Sequence, residues 1–299
     1  MTAFKPMLSG TVEDVSTLCY PVLVSPKLDG FRALVQGGCV LSRNLKPIRN
    51  GHVQALFGRP EYEGFDGELI VGTPTEPDCF SVTSSGVTAA AGQPDVTFWV
   101  FDMFAEQVPF RTRHFALADG GSRDGICVLQ HHEVHSPTAL LAVAEGYLES
   151  GYEGLMVRDP DGPYKQGRST LKEGWLLKYK EFEYDDALIV EVLQGQHNAN
   201  ADVRDALGHA KRSTTKAGMH PNGTLGGFKC VGLTGPWKGM PFNVGPGRLT
   251  AAQAQSMYDQ RGDVVGTHIE YKYFPRGCKD APRFPGYFGP AIKGKHSLW

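Results

Sequence analysis

The residues best suited to chemistry stand in one short run, Ser25-Pro26-Lys27-Leu28-Asp29-Gly30-Phe31-Arg32. A lysine set between apolar stretches, beside a carboxylate and a glycine, is badly placed for solubility alone. A lysine amine is a nucleophile only when neutral, and its ordinary pKa is near ~10.4. Desolvation and neighbouring cations lower that value and free the lone pair. Gly30 lets the backbone approach a ligand closely. Arg32 adds an always-charged fork suited to phosphate. The plainer reading has Lys27 capping a strand and pairing with Asp29 in solvent. On these residues alone the two readings stand level, because short motifs recur by chance.

Further candidates are spread along the chain. Asp66 and Glu68 lie two apart on a predicted strand over 64–72, so they share one face. Carboxylates at the mouth of a central strand are costly unless paired or bound to a metal. A solvated strand edge is the alternative. Glu153 stands at the entrance of a strand over 152–158. Lys178 and Lys180 share one face of a strand over 175–180, with Leu177 and Tyr179 on the other. Two ammonium groups so placed repel each other unless an anion lies between them, and a polyphosphate is the obvious anion. Arg43, Lys165 and Arg168 read in isolation as ordinary surface cations.

The elements that must position these groups are mostly strands. A run over Pro21–Val24 leads into Lys27, and Ala33–Val35 and Val40–Ser42 form a hairpin turning at Gly37-Gly38. A loop and short helix occupy 44–60, and a buried strand spans Val96–Phe104. Residues 107–135 read as polar and irregular. The adjacent pair His131-His132 lacks helical metal-ligand spacing and reads as surface or strand edge. Ser136-Pro137 opens a helix that Gly151 closes. An acidic, aromatic stretch over 181–186 marks a boundary, placing one domain at 1–183 and a second at 184–299. Residues 195–225 are polar. Between Gly208 and Lys229 stand Lys211, Arg212, Lys216 and no acidic residue, a bias that suits phosphate-backbone contact. A hairpin over 226–245, a short helix opened by the Thr250–Gln253 capping box and a strand over 266–274 complete a small β-rich unit. Short strands around one helix suggest an OB-type barrel.

Bulk properties narrow the classes. A length of 299 residues accommodates two domains, and 41% hydrophobic content marks a globular chain. The net charge of -2 gives no global positive field, so any nucleic-acid contact must come from local basic faces. None of the 6 cysteines forms a CxxC pair, which argues against a zinc ribbon and for free thiols in a reducing compartment. No signal-peptide core or membrane-length apolar run is present, so a soluble intracellular protein is expected. No oligomerisation pattern is visible, and a monomer is expected.

In order, the segments are KLDGFR at 27–32, SRN at 42–44, DGELI at 66–70, FWVFD at 98–102, EGLMVR at 153–158 and LLKYK at 176–180. The series resembles the covalent nucleotidyltransferase superfamily of ATP-dependent DNA ligases and mRNA capping enzymes. YKQGRSTLKEGWLLKYK, KRSTTKAG and KDAPRFPGYFG are similar to segments of minimal viral ligases, and the likeness runs the length of the chain. The ordered set is specific where each segment alone is not.

The resemblance implies an α+β nucleotidyltransferase (adenylation) domain with antiparallel sheets, followed by an OB-fold barrel with a latch-like insertion at about 195–227. It implies that Lys27 attacks the α-phosphate of ATP, that the AMP moves to the 5′-phosphate of a nick, and that the 3′-hydroxyl displaces it. Lys178 and Lys180 would grip the α-phosphate, and Glu68 and Glu153 the divalent metal (Mg²⁺ or Mn²⁺) and the ribose. Phe101 would stack on adenine beside Ser25, Arg32 would contact the sugar and phosphate region, and Asp29 would serve the later, DNA-dependent steps. Ser42, Arg43 and Arg168 would hold the nick 5′-phosphate, Lys165 the nearby backbone, and Lys211, Arg212 and Lys216 the encircled duplex. Arg283 belongs to the C-terminal motif Arg283-Phe284-Pro285, whose following basic residue is displaced here to Lys293 or Lys295. The latch and RSTLKEG favour a ligase over a capping guanylyltransferase. A non-catalytic nucleic-acid-binding relative is the alternative of another class. An NAD-dependent ligase is not expected, since such enzymes carry a nicotinamide-binding domain before the lysine and 26 residues precede Lys27 here.

Overall fold

The computed structural model describes residues 4–104, 107–123, 125–180, 182–204, 210–213, 215–275, 278 and 280–291, with backbone alone for 202–204 and 210–212. The chain divides into two compact units, Met1–Lys180 and Glu181–Val203 with Ala210–Trp299.

The first unit holds two five-stranded sheets. One orders Gly10–Thr11, Leu176–Tyr179, Leu155–Arg158, Val22–Pro26 and His132–Val134 side by side. Strand Val22–Pro26, an interior strand of this sheet, is buried at every position, which is why it is a continuous apolar run rather than an alternating one. Helix Pro137–Glu149 covers this sheet with Leu140 and Ala144, and Ser136 caps it by accepting from the Ala139 N–H at 3.2 Å. Gly151, at φ 98, follows the helix end. The other sheet orders Cys39–Ser42, Phe31–Gln36, Phe65–Val71, Val96–Met103 and Ile126–Val128 around a core that includes Leu69, Phe57 and Phe98. Gly37 and Gly38, at φ 61 and 69, make its hairpin turn as the sequence implies.

Residues 27–30 are therefore the crossover from one sheet to the other. Gly30 is needed by that crossover itself. A Cβ there would lie 2.3 Å from the Leu69 carbonyl oxygen and 2.4 Å from Ile70 Cδ1. The unit is closed by its own beginning. Met7–Leu8 pairs in parallel with Gly167–Arg168, and Gly10–Thr11 pairs with Leu177 and Lys178.

Two segments depart from the sequence reading. Residues 107–135 are not irregular, since they contain helix Phe110–Gly120 and the strands Ile126–Val128 and His132–Val134. Their polar look is misleading. Arg113 is fully buried and donates from Nε to Asp102 Oδ1 at 2.7 Å, while Arg158 Nη2 holds Asp102 Oδ2 at 2.8 Å. Helix Cys79–Thr88, rich in Ser and Thr, gave no sequence signal at all.

The second unit is a single antiparallel sheet ordered Pro241–Val244, Met219–Gly232, Glu183–Asn198, His268–Phe274 and Arg283–Pro290. Residues 195–225 are less loop-like than their polarity suggests. The Glu183–Asn198 and Met219–Gly232 strands stay paired out to Asn198 opposite Met219, and Asp202–Arg204 pairs with Ala210–Arg212. The two edge strands are drawn together where Gly245 bridges Gly286, with the Gly245 N–H donating to the Pro285 carbonyl at 2.9 Å. That bridge stands where an ideal barrel has a continuous ladder, so among the described residues the OB-type sheet is not fully closed. The Thr250–Gln253 capping box opens helix Ala251–Asp259. Among the described residues no helix is long and apolar enough to cross a membrane.

Candidate active site

Three strand ends of the first sheet converge on Lys27. Pro26 lies opposite Leu155, and Met156 lies opposite both Ser25 and Lys178. The Lys27 N–H donates to the Gly154 carbonyl at 2.9 Å, which locks the start of the crossover to the strand that Glu153 precedes. A Cβ on Gly154 would meet the Tyr179 carbonyl oxygen at 2.4 Å, so glycine there lets the three strand ends close up.

At this junction one carboxylate faces three ammonium groups. Glu153 accepts from Lys27 Nζ through Oε2 and from Lys180 Nζ through Oε1. Burial alone would raise the Glu153 pKa, but the two lysines overcome it and the net shift is downward. Lys180 is pulled the other way. Burial, then Lys27, outweigh Glu153 and bring it down to about 8. Burial also lowers the Lys178 pKa, helped by Lys27 and Arg168. Three ammonium groups gathered at one junction make a setting that favours an anion.

The second sheet supplies the opposite side of the crossover. Arg32 lies opposite Glu68 in the ladder and reaches Asp66, which takes Nε and Nη2 at 2.6 Å each. Burial opposes the Arg32 charge, but Asp66 dominates and its pKa moves up. Arg32 thus points at Asp66, one of the two carboxylates that the sequence marks as needing a partner, and its guanidinium sits 4.6 Å from the Phe101 ring centroid. Phe101 owes its direction to a β-bulge. Asp66 pairs with Asp102 and Gly67 with Val100, leaving Phe101 as the extra residue. Its ring joins Leu28, Ile70 and Cys79 in a small apolar cluster. Ser25 is fully buried on its strand.

Glu68 is the residue most open to a cation. Burial pushes its pKa up to about 7 against Arg32 and Lys27, with Asp66 and Asp29 adding in the same direction. Among the described residues no cluster of three or more His, Cys, Asp or Glu is poised for a metal ion. That donor set suits a cation that brings most of its ligands with it. Mg²⁺ commonly takes one or two carboxylates plus phosphate oxygens, so Glu68 with a bound triphosphate fits such an ion. Glu153 is committed to its two lysines here.

The remaining predicted cations are divided between the two units. Arg43 is exposed, and burial of part of its side chain together with Arg168 and Arg32 lowers its pKa. Arg168 donates from Nη1 to the Ser9 carbonyl at 2.6 Å. Ser42 Oγ accepts from the Lys46 N–H at 3.2 Å and so shapes the turn that carries Arg43. Lys165 is ion-paired with Glu173 at 2.6 Å. In the second unit Arg283 lies 5.3 Å from the Phe284 ring centroid, and Lys216 is exposed in a short 3-10 helix. Lys211 and Arg212 stand on a short strand whose side chains are outside the description, and Lys293 and Lys295 lie outside the described residues.

A family model for the ATP-dependent DNA ligase domain matches residues 6–180, which is the first compact unit. The chain belongs to the ATP-dependent DNA ligase family. Its likeness to one solved member, the ligase-adenylate of a Chlorella virus, is 27% in sequence with a TM-score of 0.54, over 97% of this chain and 100% of that one. The fold is also shared with a structure of Lig E DNA ligases, at 23% identity and a TM-score of 0.69, covering 96% and 99% of the two chains. A curated "Probable DNA ligase" of Kineococcus radiotolerans is 28% identical over 207 residues, which is 64% of this chain and 40% of that protein. The chain therefore spans well under half the length of that relative. These likenesses support the α+β nucleotidyltransferase and OB-type fold class expected from sequence.

Proposed function

We propose that the protein is an ATP-dependent DNA ligase that seals nicks with adjacent 3′-hydroxyl and 5′-phosphate ends. The observation that carries this reading is the cluster of Lys27, Lys178 and Lys180 around one carboxylate, Glu153. Such a cluster holds a nucleophilic lysine against a polyphosphate and neutralises the charge that develops there. The Chlorella virus relative was solved as a ligase-adenylate, which supports an AMP carried on the protein.

In the first step the neutral Lys27 amine, its proton released to solvent, attacks the α-phosphorus of ATP. A P–N bond forms, the α–β bridging P–O bond breaks, and pyrophosphate leaves. Lys178 and Lys180 flank the reacting phosphate. Phe101 offers a ring to the adenine, and Arg32, fixed by Asp66, faces the sugar and phosphate side. A divalent cation held at Glu68 would neutralise charge on the triphosphate. In the second step a 5′-phosphate oxygen of the nick takes the AMP from Lys27, with Arg43 and Arg168 as its clamp. In the third the 3′-hydroxyl attacks that 5′-phosphorus, AMP departs and the strand is continuous, with Asp29 serving these later steps. Nicked duplex DNA is the partner, contacted through phosphates by a monomer. Residues 1–183 act as the adenylation domain and 184–299 as the OB domain with its basic extension.

Self-labelling tests this reading. Incubated with α-phosphate-labelled ATP and Mg²⁺, the protein becomes labelled, and a nicked duplex chases the label to DNA, then to free AMP with a sealed strand. The Lys27→Ala variant takes no label. Label from GTP alone would transfer the reading to RNA capping. Absence of label from either nucleotide would overturn the covalent mechanism.

A further inference from the structure

The Arg32 site is completed by a hydroxyl group on a segment that follows the Leu155–Arg158 strand. Tyr164 is 3% exposed, with its ring against the paired rings of Phe4 and Phe104 at centroid distances of 6.4 and 6.0 Å. Its hydroxyl donates to Asp66 Oδ2 at 2.7 Å and accepts from the Met7 N–H at 3.1 Å. Asp66 holds Arg32 through both oxygens, and the Met7 carbonyl accepts from the same Arg32 Nη2 at 3.2 Å. Tyr164, Asp66, Arg32 and Met7 therefore form a closed ring of hydrogen bonds.

That ring has a second outlet. Two residues beyond Met7, the Ser9 carbonyl accepts from Arg168 Nη1 at 2.6 Å. Met7–Leu8 is itself laced in parallel to Gly167–Arg168. One three-residue stretch of backbone thus holds Arg32 by its first carbonyl and Arg168 by its last. Both arginines depend on where Met7 sits, and the Met7 N–H is fixed by Tyr164.

We propose that Tyr164 is a positioning residue whose hydroxyl sets Arg32 for the nucleotide and, through Met7–Ser9, sets Arg168 for the 5′-phosphate of the nick. The inference rests on the ligase reading above. A phenylalanine would fill the same space and keep the contacts with Phe4 and Phe104. It would leave Asp66 Oδ2 short of a donor and the Met7 N–H without an acceptor. A buried carboxylate short of a donor turns or recruits water, and the Arg32 fork turns with it.

The test compares Tyr164→Phe and Tyr164→Leu with the wild type. For Tyr164→Phe, the ATP concentration that half-saturates self-labelling rises about tenfold, the size expected for one lost hydrogen bond to a charged group. Its rate at saturating ATP stays within about threefold of wild type, and its melting temperature within a few degrees. Enzyme already carrying AMP also needs several-fold more nicked duplex to half-saturate transfer. Tyr164→Leu shows the same two defects and melts lower. Equal ATP and DNA requirements in Tyr164→Phe and wild type would overturn the proposal. So would a loss of rate at all ATP concentrations in step with the unfolded fraction, since that marks a purely structural tyrosine. A wild type that takes no label defeats the ligase reading instead, so the two failures are distinct.

Discussion

Replacing Glu153 by Gln tests the electrostatics of the lysine cluster directly. The change keeps the shape, removes the carboxylate that Lys27 and Lys180 share, and leaves one amide oxygen as acceptor. Removing one partner of a buried ion pair ordinarily costs about 3–5 kcal/mol, because the other charge is stranded. Here the cost has a ceiling, because Lys180 already titrates at about 8 instead of its usual 10.5. At neutral pH it can escape by giving up its proton, at roughly 1 kcal/mol for the single remaining pH unit. Lys27, with 20% of its side chain exposed, turns toward solvent at a cost of about 1 kcal/mol. The expected loss at pH 7 is therefore about 2 kcal/mol. The sign with pH follows from linkage. In the wild type the folded Lys180 pKa lies below the unfolded one, so stability climbs as pH rises from about 8 toward 10.5. In Glu153→Gln that climb begins at lower pH, so near pH 9.5 the gap narrows to about 1 kcal/mol. Urea titrations at the two pH values, each with its own wild-type control, read this out. A loss of 4 kcal/mol or more at pH 7, or a gap that does not narrow in alkali, would refute the reasoning.

Glu68 should give the opposite profile. Its folded pKa of about 7 lies above the usual 4.5, so without metal its stabilising contribution is full below pH 4.5 and is lost as pH rises through 7. Metal-dependent self-labelling should correspondingly rise severalfold between pH 6 and 8, and Glu68→Gln should flatten that rise; an unchanged profile in the variant would exclude Glu68 as its source. Asp102→Asn leaves Arg113 and Arg158 buried with a neutral partner and should lower stability by about 3–5 kcal/mol, read by chemical denaturation. Gly30→Ala drives a Cβ into the Leu69 carbonyl and displaces the crossover, so self-labelling should fall at least tenfold while cooperative unfolding persists; wild-type labelling would show that the crossover tolerates the shift.

Much of the site was legible because strand physics exposes it. Lys27, Glu153, Lys178 and Lys180 sit at the ends of apolar runs, and adjacent strand ends in one sheet bring such positions together. What stayed hidden depended on partners far away in sequence. Arg32 is expected at the sugar and phosphate region, but the groups that fix its side chain, Asp66, Met7 and behind them Tyr164, carry no local pattern that marks them as its partners. The crowding at Gly30 comes from Leu69 and Ile70 on a strand distant in sequence, which no local pattern announces. Helix Phe110–Gly120 was missed because its buried face includes Arg113 and His114, whose polarity erases the amphipathic signal. The extended strands beyond residue 195 escaped for the same reason, since a two-stranded projection has no core to demand apolar residues.

The way Met7–Leu8 and Gly10–Thr11 are sewn to residues 167–168 and 177–178 also bears on how the chain is made. Translation delivers the first strands well before their partners exist. For the whole synthesis of the intervening stretch they remain unpaired edges, open to wrong partners. Contacts this distant in sequence also form late, because the loop they close is long. Arg168 therefore receives its Ser9 carbonyl, and the Met7 carbonyl that Arg32 uses gains its flanking strand, only after residues 167–168 have been made. A nascent chain halted short of the Leu176–Tyr179 strand would carry Lys27 without the means to use it.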